Sequence, residues 1–111
     1  MIWYVIENNQ PKTPHLIPDL DKGWGNGYVA IPPTHPAYKM DYDTLMYEID
    51  IHGGVTFAGF PNTLNEHKDW WVLGFDTCHY GDTLRKWPKE AVEAETKRLF
   101  CQLLEIELGE L

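Results

Sequence analysis

The sequence predicts an α+β fold: a small, mainly antiparallel sheet with long Pro/Gly-rich loops and one C-terminal amphipathic helix packed on it. Three observations carry this. Short β-branched and aromatic runs, closed by Gly, Pro or Asn, recur between Ile2 and Phe75. From Val92 to Ile106 the apolar residues return at helical spacing instead. Nothing between the two patterns looks like a linker or a low-complexity stretch, and 111 residues is the size of one domain, so 1–111 is read as a single unit.

The elements follow in order. IWYVIENN is a β-branched and aromatic run with a polar end, a first strand. Residues 10–26 hold Pro11, Pro14, Pro18, Gly23 and Gly25, a density that forbids a long regular element and predicts a surface loop. GYVAIPP is a second strand that Pro32 and Pro33 end or place at an edge. THPAYKMDYDTL is an irregular connection. In MYEIDIHGG, Glu48, Asp50 and His52 alternate with Tyr47, Ile49 and Ile51, which predicts a strand with one polar and one apolar face. Gly53-Gly54 then signals a hairpin into VTFAGF. PNTLNEHKD is a polar loop, and WWVLGF, apolar on both faces, is the central strand. Pro88 suits the first position of a helix of about twenty residues that ends at Gly109. Its buried stripe is Val92, Thr96, Leu99, Phe100, Leu103 and Ile106, with Glu90, Glu93 and Lys97 on the other side.

Charge narrows the function classes. The net charge is −8, and from Met40 to Asp82 eight acids face one base, Lys68. An extended grip on nucleic acid needs clustered Lys and Arg, so no nucleic-acid partner is expected. No apolar run reaches the ~18 residues of a membrane span, and no signal-peptide pattern opens the chain, so neither a membrane partner nor export is expected. With only Cys78 and Cys101, reduced thiols in the cytoplasm are the expectation. The acidic middle suits a cation, or a small polar ligand held by hydrogen bonds.

Three stretches concentrate polar groups that packing does not explain: Thr34-His35-Pro36, DIHGGVT from Asp50 to Thr56, and DTCHYGDT from Asp76 to Thr83. If they converge at one edge of the sheet, they line a ligand pocket of His35, Asp50, His52, Gly53, Gly54, Asp76, His79 and Asp82. No cofactor is demanded by motif, since HExxH, CxxC and nucleotide-binding glycine loops are all missing. A divalent cation remains possible, with His35, His52, His79, Asp76 and Asp82 as candidate ligands. For acid–base chemistry the candidates are His52, His79 and Asp76, an aspartate orienting a histidine in each case. The architectural alternative has Asp76 and Asp82 capping turns and the histidines donating to backbone carbonyls. Trp24, Tyr28, Trp70 and Trp71 are the candidates for stacking on a planar ligand.

GYVAIPPTHPAY, DIDIHGGVTF and WWVLGFDTCHYGD, in that order, resemble a family of small, uncharacterised proteins of tailed phages and prophages. The family pattern is GYV-x-(I/V)-P-x-x-HP, then HGG-x-T(F/Y), then WW-x-GFD-x-x-H-x-GD and a C-terminal helix. The likeness runs from about Gly27 to Leu108, and WWVLGFD is one residue longer than the pattern. It implies an accessory role in a phage or mobile element, in the host cytoplasm, with the matching polar positions as the site. By class analogy alone, the ligand would be a nucleotide-like signal of host defence. A metal-assisted or His/Asp general-base hydrolase, a structural or interaction module, and a homo-oligomer are the alternatives the residues leave open.

Overall fold

The computed structural model describes residues 1–8, 22–45, 47–61 and 66–109. Four strands and two helices make up this part: β1 (Ile2–Glu7), β2 (Gly25–Ile31), α1 (Tyr42–Leu45), β3 (Phe57–Gly59), β4 (Trp71–Phe75) and α2 (Lys89–Glu107). The strands form one antiparallel sheet in the order β1-β2-β4-β3. WWVLGF therefore takes an interior position, as its unbroken apolar run requires: Val72, Leu73, Gly74 and Phe75 are all buried. β2 is interior as well, and Pro32 terminates it where it would otherwise owe the ladder an N–H.

Alternation divides the sheet into two faces. Trp3 pairs with Val29, Val29 with Leu73, and Gly27 with Phe75, and these residues point toward α2. Val92, Leu99 and Leu103 of the helix meet them in a core that also takes in Ile31, Leu45, Ile49, Ile51 and Val55. Close approach of helix and sheet depends on Gly27. A Cβ there would stand 2.0 Å from Thr96 Oγ1 and 2.5 Å from the Phe75 ring, so any side chain would lift the helix away. On the opposite face Tyr28 stacks on Tyr4 at 5.2 Å and meets Phe57 edge-on at 5.9 Å.

One expected element is different in kind. Tyr47–His52 is not a strand, and Gly53-Gly54 does not join two paired strands. The alternation predicts burial for two of its three apolar residues: Ile49 and Ile51 are 5% and 7% exposed while Asp50 faces solvent, but Tyr47, expected on the same face, is 87% exposed because no strand carries the face that far. What differs is the partner of the backbone, which bonds to side chains of α2. The Asp50 N–H donates to Gln102 Oε1 at 2.7 Å, and the Asp50 carbonyl accepts from Gln102 at 2.9 Å and Arg98 at 3.0 Å. The His52 N–H donates to Glu95 at 2.7 Å. Helix side chains thus do the work of a neighbouring strand. VTFAGF contributes only the three residues of β3. Most of the loop expected over 10–26, and 62–65 of PNTLNEHKD, fall outside the described residues, while Gly25 and Asn26 belong to β2.

A candidate metal centre of two histidines and an aspartate

Two tight turns build the site. In the first, the Gly54 N–H bonds back to the Ile51 carbonyl at 2.9 Å, with Gly53 at φ 68°. That backbone region suits glycine, and space demands it too: a Cβ on Gly53 would lie 2.3 Å from His79 Cε1. In the second turn the Asp82 N–H bonds to the His79 carbonyl at 2.9 Å, and the Asp82 carboxylate folds back to accept the His79 N–H at 2.9 Å. The first turn presents His52; the second presents His79 and Asp82. With Gly53 as the contact point, the two turns press against each other.

His52 Nε2 lies 2.8 and 3.0 Å from the two oxygens of Asp82, whose side chain is 5% exposed. Burial pushes the Asp82 carboxyl up, but the hydrogen bonds from the His52 ring and the His79 N–H outweigh it and hold the group below its usual range. His79 Nδ1 stands 3.4 Å from Asp82 Oδ2 and is buried without a hydrogen-bond partner. One ligand atom from each of His52, His79 and Asp82 lies within 4.8 Å of the others. The rings of His52 and His79 meet edge-on at 5.5 Å, and Trp87 covers His52 at 4.1 Å.

The other expected site residues are placed differently. Asp76 sits at the border, its Oδ1 3.4 Å from His79 Nδ1, while the same oxygen caps the turn by accepting the Cys78 N–H at 2.9 Å. Gly54 closes the first turn. Asp50 turns outward with its side chain 98% exposed, 3.6 Å from Arg98. His35 is 3% exposed and both its nitrogens are engaged by backbone: Nδ1 accepts the Ala37 N–H at 2.9 Å and Nε2 donates to the Leu103 carbonyl at 2.8 Å. His35 therefore ties the turn after β2 to α2. The architectural alternative describes His35 and the turn bonds of Asp76 and Asp82 well; it does not account for the buried His79 Nδ1, which makes no hydrogen bond.

Burial pushes the Cys78 thiol up, and the Lys22 charge pulls it back only in part, so it is a poor nucleophile at neutral pH. Of the aromatic candidates, Tyr28 belongs to the row across the sheet, Trp71 packs with Phe60 and Tyr38, and Trp70 lies on the His67 ring. The indole at the site is Trp87, which the sequence reading did not select. Glu95 was missed as well. It is 8% exposed, lies between Val92 and Leu99 on the buried side of α2, and holds the His52 backbone. An acid inside an apolar helical stripe was the signal that pointed to it.

Fold and site together define a small α+β protein with a half-buried His-His-Asp cluster between two turns. No protein-family model, curated protein or solved structure matches the chain. No helix among the described residues is long and apolar enough to cross a membrane.

Proposed function

We propose that this protein binds a divalent transition-metal ion of the zinc class through His52 Nε2, His79 Nδ1 and Asp82, and presents a small polar ligand to it. The observation that carries the reading is His79 Nδ1, a buried nitrogen that makes no hydrogen bond although two carboxylates, Asp76 and Asp82, stand 3.4 Å from it, the second already gripped by His52. A buried polar atom without a partner is costly, and a cation supplies the partner. Donors ~2.0–2.1 Å from zinc at tetrahedral angles stand about 3.3–3.4 Å apart. The 3.4 Å between His79 Nδ1 and Asp82 Oδ2 meets that spacing. The 2.8 Å between His52 and Asp82 is shorter because a proton now sits between them, and the ion would replace it.

Three protein ligands leave a fourth position for water or a ligand. Metal-assisted hydrolysis is the second reading, and Asp76 favours it. That carboxylate lies 3.4 Å from His79 Nδ1 with its side chain 31% exposed, and would be the group at hand to accept a proton from a water that a bound metal activated. The resemblance to small phage proteins adds the setting, an accessory role in the host cell.

Calorimetric titration of chelator-treated protein with Zn²⁺, Co²⁺ and Mn²⁺, paired with thermal unfolding, tests the reading. One zinc ion per chain and a higher unfolding temperature, both lost in His79→Ala, are expected. No binding of any of the three ions and no thermal gain would refute it.

A further inference from the structure

The segments that flank this site carry basic residues, opposite in sign to the net charge of −8 on the chain as a whole. The acidic stretch ends at Asp82, and residues 83–89 hold Arg85, Lys86 and Lys89 with no acid before Glu90. The fold adds a fourth cation. The Gly23 N–H bonds to the Thr77 carbonyl at 2.9 Å, which sets Lys22 beside the DTCHYGD turn. The Trp24 N–H bonds to the Trp87 carbonyl at 2.8 Å, and the Lys89 ammonium lies over the Trp24 ring at 5.6 Å. Arg85 and Lys86 belong to the turn whose Trp87 covers His52. Among the described residues none of these four cations makes an ion pair, whereas Arg98 in the middle of α2 makes two, with Asp50 and Glu95.

Unpaired cations gathered at one place on an acidic protein select for an anion. Resting on the metal reading, we infer that the ligand of this site carries a phosphoryl group, one oxygen on the metal ion and the others facing Lys22, Arg85, Lys86 and Lys89. The charges balance in that state. A divalent ion offsets Asp76 and Asp82, so the rim cations remain to neutralise the phosphoryl oxygens. Range selects a small molecule over a nucleic acid. The Debye length is about 8 Å at physiological salt, so a single phosphoryl group is acted on by the bases that close to it and by few others. A polyanion would run on across the Met40–Asp82 stretch, where eight acids face one base.

The test uses the full chain loaded with Co²⁺, whose visible spectrum reports a change of ligand, titrated with inorganic phosphate. Wild type is compared with Arg85→Gln/Lys86→Gln and with Lys22→Gln/Lys89→Gln, and acetamide serves as the uncharged probe. Phosphate is expected to alter the Co²⁺ spectrum at concentrations where acetamide does not. Each double variant should bind phosphate about tenfold more weakly and retain Co²⁺, and added salt should weaken binding to wild type most. Failure of Co²⁺ to bind overturns this inference together with the metal reading. Co²⁺ binding with phosphate affinity unchanged in both variants overturns the inference alone. So does tight binding of a single-stranded oligonucleotide that needs no metal, which would make the rim a nucleic-acid surface.

Discussion

His52 and His79 are both expected to be essential for metal, yet the structure assigns them different weights in the metal-free fold. His52 donates to a carboxylate that is 5% exposed, at 2.8 and 3.0 Å, and its ring lies 4.1 Å from Trp87. Replacing it by Ala leaves Asp82 with the His79 N–H as its remaining hydrogen bond among the described residues. A hydrogen bond to a charged group contributes about 1.5–3 kcal/mol, and orphaning the buried partner costs at the upper end. Loss of the ring contact with Trp87 adds ~0.5–1 kcal/mol. His52→Ala should therefore cost about 2–4 kcal/mol. His79 is another matter: its Nδ1 makes no hydrogen bond, its ring is 37% exposed and stands 3.4 Å from Asp82, and its hydrogen bond to Asp82 comes from the backbone, which Ala keeps. His79→Ala should cost only the packing on Gly53 and the edge contact with His52, about 1 kcal/mol or less. Urea unfolding in a chelator reads the ordering directly. Repeated at a zinc concentration of ~100 times the dissociation constant, wild type should gain about 2.7 kcal/mol, and both variants nothing. If His79→Ala is as costly as His52→Ala without metal, or is still stabilised by zinc, the assignment of His79 Nδ1 as a waiting ligand is wrong.

Three further outcomes follow from the same geometry. Gly53→Ala forces a Cβ to within 2.3 Å of the His79 ring at a φ of 68°, so it should lower stability by ~1–3 kcal/mol and weaken zinc binding at least tenfold. His35→Ala removes two buried hydrogen bonds far along the chain from the cluster. It should cost about 2–4 kcal/mol in urea unfolding and leave zinc affinity, measured calorimetrically, unchanged. Asp82 ionises below its ordinary value, so its stabilising effect in metal-free protein is complete above pH ~4 and fades as pH falls through the folded-state value. The stability difference between wild type and Asp82→Asn, followed by urea midpoints from neutral to acid, should shrink over that acid range.

The sequence located the site in part. DTCHYGD and HGG do meet, and the pair His52 with Asp82 comes from two of the stretches picked out for their polar content. The third stretch does not join them, because His35 satisfies both ring nitrogens on backbone groups nearby and in α2. Asp50 and His52 looked equivalent by alternation. Only His52 reaches the cluster, since the turn at Gly53 redirects it while Asp50 stays beside Arg98 and Gln102. Trp87 was not legible as a site residue because it acts through a neighbour brought close by folding, and Glu95 carried only the signal of an acid on the buried side of a helix, which does not say what it holds.

What the sequence determined by itself was local periodicity: β1, β2 and β4, the interior place of WWVLGF, the Pro88 start and length of α2, and the burial of Ile49 and Ile51. Such features depend on which face of an element is apolar, and that is written in residue spacing. What only the tertiary structure decided was partnership. Spacing cannot say what accepts a backbone N–H, and at Asp50 and His52 the acceptors are side chains of α2, 52 and 43 residues further on. The same long-range docking sets His52 against Asp82, leaves His79 Nδ1 without a hydrogen bond and brings the Lys22–Trp24 segment against Thr77 and Trp87. A cluster of donors and a rim of like charge are properties of the folded surface, since they need distance in space and not distance along the chain.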